Sequence, residues 1–169
     1  MESKKRGYLK IHIAVDIKKK RILSLDVTSE KVHDGKVLPE LVEDITIKQN
    51  KIVNTVIADG AYDNNNNFQY LLFNGIQQPA IKVRKNSRCK KTNHYLRNKT
   101  VKMQKKNNLQ QWKKDSVSYG KRWIVETVFS CIKKRMFGEY VTAIRFENMI
   151  KEMILKASLY NWFQTITIK

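Results

Sequence analysis

Hydrophobic and polar positions alternate near the beginning of the chain. The alternation in Leu9–Asp16, LKIHIAVD, predicts a β-strand, and residues 21–28, RILSLDVT, predict a second strand. Three lysines lie between the two stretches and predict a tight basic turn. We therefore expect an antiparallel hairpin at this end of the sequence.

Helical spacing follows the hairpin in three places. After Asp34, the expected N-cap, apolar residues recur at intervals of three and four, with Pro39 in the first turn. Residues 64–74 predict a short helix that stops at Gly75, and residues 147–163 predict a last helix. The apolar positions of the first helix are Val37, Leu38, Leu41, Val42 and Ile45, and those of the last are Met149, Ile150, Met153, Ile154 and Ala157.

Two short apolar stretches predict further strands. Residues 53–58 are typical of a buried strand, and residues 76–83, interrupted by Pro79, of an edge strand. The basic region after them predicts a loop with some helix from about Lys102, and residues 141–144 predict a short strand or a linker. The order of these elements predicts an α/β fold in which helices cover a mixed sheet.

The segment SYGKRWIVETVFSCIKKR carries the most informative pattern. On an α-helix ending near Gly138, four of its polar residues share a stripe roughly 60° wide, beside an apolar face. The four are Tyr119, Arg122, Glu126 and Lys133, and the apolar positions are Val125, Val128, Phe129, Ile132 and Met136. A carboxylate among cations on a rigid helix suits a metal-assisted phosphate site. Alternatively, Arg122 and Glu126 form an ordinary i, i+4 ion pair on an amphipathic helix.

The charge balance narrows the choice of partner. The formal net charge is +19, and the sequence pI is about 10. Such an excess predicts a polyanionic partner, nucleic acid by default, with an anionic membrane surface as the competitor. The sequence shows no apolar run of the length that a spanning helix needs, and no signal peptide.

The basic residues concentrate in one part of the chain. No acidic residue occurs between Asp63 and Asp115, and residues 84–114 of that stretch mix cations with amides and rings. From it we expect Arg84, Lys85 and Arg88 to contact nucleic-acid phosphates. The alternative is a solvated basic loop.

A second acidic position completes the candidate site. Asp59 directly follows the predicted buried strand, and such strand ends collect ligand chemistry in α/β sheets. Gly60 and Ala61 after it permit close approach of the backbone. Asp59 and Glu126 together would provide oxygen ligands for a hard cation such as Mg²⁺, which supports phosphoryl transfer. Alternatively, Asp59-Gly60 is only a turn.

The remaining special residues predict structural roles. The two cysteines, Cys89 and Cys131, fit no zinc pattern and are expected to be buried or inert thiols in a reducing cytoplasm. Trp112 and Trp123 are expected to be core anchors in preference to base-stacking platforms. The histidines show no ligand spacing, and we expect strand-packing, cap-adjacent and loop positions for His12, His33 and His94.

Several of these motifs together resemble a known family. LKIHIAVD, VTSEKVHDGKVLPEL, VIADGAYD, Pro79 through Arg84-Lys85, and the Tyr-Arg-Glu-Lys spacing followed by FGE are similar to the catalytic domain of bacterial and archaeal insertion-sequence transposases of the DDE type. The resemblance extends from about Tyr8 to Phe163, and it points to the branch defined by the Tyr-Arg-Glu-Lys signature.

The resemblance implies a ribonuclease-H-like fold and hydrolysis at transposon ends that depends on Mg²⁺ or Mn²⁺, followed by strand transfer into target DNA. Asp59 matches the second catalytic acid and Glu126 the third. Arg122 and Lys133 match residues that contact DNA phosphate near the scissile bond, and Tyr119 supports the carboxylate or contacts a phosphate. The resemblance also implies a homodimer when active, in the cytoplasm at the nucleoid, and no membrane partner.

One element of the family pattern is missing from this sequence. The first catalytic aspartate of the family lies in an Asp-Ser-Thr-like motif upstream of the stretch matching LKIHIAVD, and no such motif occurs here. Asp16 lies before the hairpin turn, Asp26 mid-strand and Asp34 at a cap, so we do not expect any of them to replace it. We therefore expect residues 1–169 to form a single partial catalytic domain that lacks the first strand, from a truncated or split transposase with impaired activity.

Two alternatives from other classes remain at this stage. One is a catalytically inactive, sequence-tolerant DNA-binding remnant of a transposase. The other is a basic RNA-binding protein, which composition permits but which leaves ADGAYD and the Tyr-Arg-Glu-Lys spacing unexplained.

Overall fold

The computed structural model of the chain describes residues 8–90, 94–106, 109–115, 119–136 and 138–167. Two compact units appear, one formed by Met1–His33 with Trp123–Lys169 and the other by Asp34–Arg122. The strands are β1 (Leu9–Asp16), β2 (Arg21–Ser29), β3 (Ile57–Ala58) and β4 (Ala80–Ile81). The helices are α1 (Leu38–Glu43), α2 (Asn65–Phe73), α3 (Tyr95–Lys106), α4 (Leu109–Asp115), α5 (Trp123–Arg135) and α6 (Phe146–Thr167). The α/β class predicted from the sequence is confirmed.

The first unit begins with the predicted hairpin. β1 and β2 pair antiparallel, and Asp16 closes the turn because its Oδ1 accepts hydrogen bonds from the backbone N–H groups of Lys18 and Lys19. The register shifts where Ala14 pairs with Ser24 but Val15 pairs with Ile22, so β2 contains a bulge. The bulge turns Ile22 to the same buried face as Leu25 and Val27, which simple alternation does not predict.

Two helices cover this face of the hairpin. Val128 and Ile132 of α5 and Met153, Ala157 and Tyr160 of α6 are buried in one core with the strands, which confirms the predicted apolar side of α5. On α6 the predicted face is only partly right, because Ile154 is 48% exposed. Ile154 points away from the core because the buried side of α6 is formed by residues 153, 157 and 160.

Polar side chains of α6 also fasten the hairpin. The Asn161 amide accepts a hydrogen bond from Ile22 N and donates one to Ile22 O, both at 2.8 Å. The Tyr160 hydroxyl donates to Lys20 O at 2.8 Å. Lys20 has a positive φ of 52°, so this contact stabilises a turn conformation that is uncommon outside glycine.

The connection between α5 and α6 is held by Glu152. Its carboxylate accepts hydrogen bonds from the backbone of Thr142 and Ala143 and from Lys156, whose Nζ also donates to Tyr140 O. The Lys156 bond is the main cause that lowers the pKa of Glu152 to about 2, followed by the Ala143 N–H. Residues 141–144, for which a strand or a linker was predicted, form no strand.

The core of the second unit surrounds α1, α2 and the β3–β4 pair. All five apolar positions predicted for α1 and its continuation are buried. Asp34 does not cap this helix, because it begins a separate 3-10 turn, Asp34–Lys36, and Val37 takes the cap position without a side-chain hydrogen bond. α1 continues into a π-helical turn, Asp44–Lys48.

The second sheet is much shorter than predicted. β3 and β4 are parallel, and the backbone bonds run from Ala80 N to Val56 O and from Lys82 N to Ala58 O. Pro79 directly precedes β4, and the N–H that it lacks is not one of those in this ladder, which uses Ala80 and Lys82. Within the described residues the strands form two separate two-stranded sheets, so the predicted single mixed sheet is not observed.

Asparagines determine where α2 begins and how it is attached. Asn64 is its N-cap, with Oδ1 accepting from Asn67 N, and Asn67 is buried and donates to Gly35 O and Tyr62 O. Gly75 follows the helix with a φ of +77°, the left-handed conformation that the sequence predicted for this stop.

The basic region is more helical than expected. α3 begins at Tyr95, not near Lys102, and α4 follows it. The burial of Leu96 and Val101 against the core of the second unit explains the earlier start. Of the helices that the structure describes, none combines the length and apolar character that a membrane crossing requires.

Candidate functional site

Asp59 lies where the sequence predicts it, directly after β3. It is the N-cap of a 3-10 turn, Gly60–Tyr62, and its Oδ1 accepts a hydrogen bond from Ala61 N at 2.9 Å. The carboxylate is therefore both a turn cap and a half-exposed group, with 47% of the side chain accessible. One oxygen is used by the backbone, and the other faces a cation.

That cation is Arg122. Its Nη1 lies 4.0 Å from Asp59 Oδ2, and 35% of its side chain is exposed. The distance is the outer limit of an ion pair, and pairs of this exposure contribute little stability. The pair is important for its charges, because it places a carboxylate oxygen and a guanidinium side by side on an accessible part of the second unit.

Tyr119 is held in a small aromatic cluster. It is 5% exposed and packs with Trp112 and Ala80, its ring centroid 4.9 Å from that of Trp112. The structure therefore gives Tyr119 a packing role, and its contact with DNA stays a prediction. Trp112, at 2% exposure, is the core anchor that the sequence predicted, whereas Trp123 is 55% exposed and is not.

The helix assumed for the four signature residues is interrupted. Tyr119–Arg122 form a 3-10 turn and α5 begins only at Trp123, so the four residues do not lie on one continuous α-helix. The wheel of 100° per residue holds only from α5 onward. The predicted common stripe is wrong at its first member, since Tyr119 is buried while Glu126 and Lys133 are exposed.

Glu126 and Lys133 belong to the first unit. Glu126 lies in the first turn of α5 and Lys133 in the last, seven residues apart and on one side of the helix. A carboxylate near a helix N-terminus and a cation near its C-terminus both complement the helix dipole. The buried side of α5 keeps both groups directed to its exposed side.

Asp59 and Glu126 thus lie on different units, and their convergence on one cation stays a prediction. Among the residues that the structure describes, no three His, Cys, Asp or Glu side chains form a group able to hold a metal ion. The donor chemistry still suits a hard cation, because Asp59 and Glu126 both offer carboxylate oxygens at accessible positions.

One predicted cation of the basic loop, Arg84, lies near Asp59. Arg84 Nε donates to Gly60 O at 3.2 Å, within the turn that Asp59 caps. Lys85 and Arg88 are exposed on the same loop. A Cβ added at Gly60 would meet Lys82 O at 3.4 Å, which is an ordinary contact, so a side chain is not sterically excluded at this position.

Sequence reasoning missed the ion pair that fixes this loop. Asp63, inside ADGAYD, is buried and accepts hydrogen bonds from the Arg97 guanidinium, the Ser87 hydroxyl and Arg84 N. Burial by itself would raise the pKa of Asp63, but the bonds from Arg97, Ser87 and Arg84 lower it below its ordinary value. The available signal was Asp63 itself, the last acid before a long basic stretch.

Negative charge around the turn affects the pKa of the Tyr62 hydroxyl. Burial is the main cause that raises the pKa of its hydroxyl to about 12, and the Asp59 and Asp34 carboxylates add to the effect. Both carboxylates therefore act on one phenol in the second unit.

The other singled-out residues have local roles. Asp16 closes the hairpin turn, and Asp26 Oδ1 accepts from Val27 N in its own strand. His12 is buried and its Nε2 lies 2.9 Å from Thr28 Oγ1, the strand-packing role that was predicted. Both cysteines are free thiols, but Cys89 is exposed and not buried.

Comparison with known proteins identifies one matching protein family. The family model described as "Transposase DDE domain" matches residues 2–162. No curated protein and no solved structure matches the chain significantly.

Proposed function

The chain belongs to the family of transposase DDE domains, and from this we propose that it acts in DNA transposition by metal-dependent phosphodiester hydrolysis and strand transfer at insertion-sequence ends. The observation that carries the proposal is Asp59, a half-exposed carboxylate at the end of β3 beside Arg122. A family match alone does not identify working residues, whereas this pair combines a potential metal ligand with a phosphate-binding cation.

Enzymes of this family use divalent metal ions, and we propose that Asp59 and Glu126 hold Mg²⁺ or Mn²⁺. Asp59 has one oxygen committed to Ala61 N and the other 4.0 Å from Arg122 Nη1 in a side chain that is 47% exposed, and Glu126 lies exposed on α5. The bound ion would lower the pKa of an attacking water and stabilise the leaving oxygen. The chain itself would supply the ligands and the charges that hold the phosphate.

The cations would hold DNA around the acids. Arg122 presents a planar guanidinium suited to a phosphate, and Lys133 a point charge on α5. Arg84 is fixed by Gly60 O close to Asp59, and exposed Lys85 and Arg88 extend the positive surface. Tyr119 is buried, so its contribution would be to support this turn, or a contact through its hydroxyl.

We further propose a ribonuclease-H-like arrangement, to which residues 1–169 contribute two of the family's catalytic acids. The sequence contains matches to the second and third acids of the family, Asp59 and Glu126, but no Asp-Ser-Thr-like motif for the first. Asp16 and Asp26 accept hydrogen bonds from their own backbone segments, which favours structural roles for both. A metal site formed by these two acids alone would bind its ion weakly and act slowly.

The second candidate is a DNA-binding remnant without chemistry. The observation that favours it is the excess of exposed cations in a chain of net charge +19. Under either candidate we propose DNA as the partner, as transposon ends and target, at the nucleoid, with a homodimer as the active form.

The test is nicking of supercoiled plasmid with and without Mg²⁺ or Mn²⁺. The wild type is expected to nick slowly and only with metal, and Glu126→Gln and Asp59→Asn are expected to abolish the reaction. Glu139→Gln is the matched control, because it removes another exposed acid of the unit that contains Glu126, and this variant is expected to keep the nicking activity. Absence of metal-dependent nicking by wild type at every protein concentration would exclude the enzyme and leave the DNA-binding remnant.

A further inference from the structure

Helix α3 has two distinct sides. The side turned to the core of the second unit consists of buried or half-buried residues, namely Leu96, Arg97, Thr100, Val101 and Gln104. The opposite side is exposed and consists of Tyr95, Lys99, Lys102, Met103 and Lys106. On an α-helix these five exposed residues fall within roughly 100° of each other, and the three lysines within roughly 60°.

Hydrogen bonds at both ends of α3 fix this rotation. Near its beginning, Arg97 is buried and binds both carboxylate oxygens of Asp63. Near its end, Gln104 donates to Ile81 O and accepts from Val83 N, as a neighbouring strand would. With both ends held, the lysines cannot turn inward, and they form a fixed row on the outer side of the helix.

The row has no acidic complement. α3 contains no Asp or Glu, and among the described residues no carboxylate lies within ion-pair distance of Lys99, Lys102 or Lys106. Solvated helix surfaces typically alternate acids and bases at i, i+4, and like charges at this spacing destabilise the helix. The helix dipole accounts for Lys106 in the last turn, but not for Lys99 and Lys102.

We propose that the outer face of α3, formed by Lys99, Lys102 and Lys106 with Tyr95 at its end, binds the phosphate backbone of DNA. The inference rests on the proposed function, which provides DNA as the polyanion, and it assigns a surface separate from Asp59 and Arg84. Phosphates would supply the negative charge that the helix lacks, with release of counterions. The exposed ring of Tyr95, at 69%, can stack on a sugar or an unpaired base.

The experiment measures duplex DNA binding against salt concentration by fluorescence anisotropy, in EDTA so that no cleavage occurs. The variant carries Lys99→Gln, Lys102→Gln and Lys106→Gln, which preserve helix propensity. The control carries Lys18→Gln, Lys19→Gln and Lys151→Gln, three exposed lysines of the first unit, and loses the same charge. Circular dichroism melting verifies that both remain folded.

The slope of log K against log salt should fall in magnitude by about 2 to 3 for the α3 variant, since each phosphate contact contributes about 0.9. The control should change it by less than about 1. Equal slopes for the two variants would overturn the proposal while leaving DNA binding intact, and so would a loss confined to an RNA duplex of the same sequence. Metal-dependent nicking by wild type, measured separately, decides the proposed function whichever result appears.

Discussion

Arg97 holds both oxygens of the Asp63 carboxylate, with Nε 2.7 Å from Oδ1 and Nη2 3.2 Å from Oδ2. The Asp63 side chain is fully buried and that of Arg97 is 10% exposed. The pair joins the turn after Asp59 to the basic loop and to α3, since Ser87 Oγ and Arg84 N donate to the same carboxylate. One buried ion pair thus fixes three segments around the candidate site.

Breaking this pair should be strongly destabilising. Asp63→Asn keeps the shape but leaves the Arg97 charge buried without its partner, at an expected cost of about 3–5 kcal/mol. Replacing both partners, Asp63→Leu with Arg97→Met, should cost less than the single change, because no buried charge remains. Urea unfolding measures both. A single variant within about 1 kcal/mol of wild type would contradict a buried, structural pair.

Glu152 should make the first unit sensitive to acid. Its pKa in the folded chain is about 2, below the ordinary 4.5, so folding favours the ionised form. The contribution is fully present above about pH 4.5 and is lost as the pH falls toward 2. Hydrogen exchange should show that the protection of the Thr142 and Ala143 amides, relative to their intrinsic exchange rates, decreases as the pH falls over that interval. Glu152→Gln keeps an acceptor oxygen but removes the titrating group, so the protection of both amides should become independent of pH, and a pH response equal to that of the wild type would contradict the assignment.

Gly138 should tolerate no side chain. A Cβ there would lie 2.6 Å from Ile132 Cγ2 and 2.9 Å from Ile132 O, so the end of α5 would have to shift. Gly138→Ala should cost about 1–3 kcal/mol by overpacking. Gly120→Ala is the control, because nothing lies within 4 Å of its added Cβ, and it should be neutral or slightly stabilising. Thermal melting of the two variants should therefore give unequal shifts, and equal shifts would contradict this account.

Tyr119 allows packing and chemistry to be separated. Tyr119→Ala should cost about 3–5 kcal/mol, because it removes a buried ring that contacts Trp112. Tyr119→Phe keeps the ring and removes only the hydroxyl. If the hydroxyl contacts DNA or a carboxylate, Tyr119→Phe should lower the nicking rate while the melting temperature stays nearly constant. Unchanged nicking in that variant would leave Tyr119 a packing residue only.

Local patterns could be predicted from the sequence because each depends on neighbouring residues. The hairpin, the short helix before the Gly75 stop and the apolar side of α5 follow from alternation, periodicity and the glycine stop signal. Asp59 at a strand end belongs to the same class, because a short apolar run before Asp-Gly marks that position.

Features that depend on distant residues could not be predicted. The bulge in β2 places Ile22 against Asn161, 139 residues away, and Arg97 turns inward because Asp63 is there to receive it. Periodicity also assumed one regular helix through Tyr119, whereas packing of its ring on Trp112 accompanies a 3-10 turn. Basic composition alone did not distinguish the cations of residues 84–114, whereas among the described ones Arg97 is buried and the others are exposed.

The side-chain amide of Asn161 covers the edge of β2 at Ile22. By taking up the N–H and C=O of Ile22, it occupies the groups through which β2 would recruit a foreign strand. Pairing of a foreign strand at that position of β2 is thus blocked by a residue of the last helix. Asn161→Ala should accordingly leave the N–H and C=O of Ile22 unpaired at the strand edge and promote self-association, even though it removes no apolar packing.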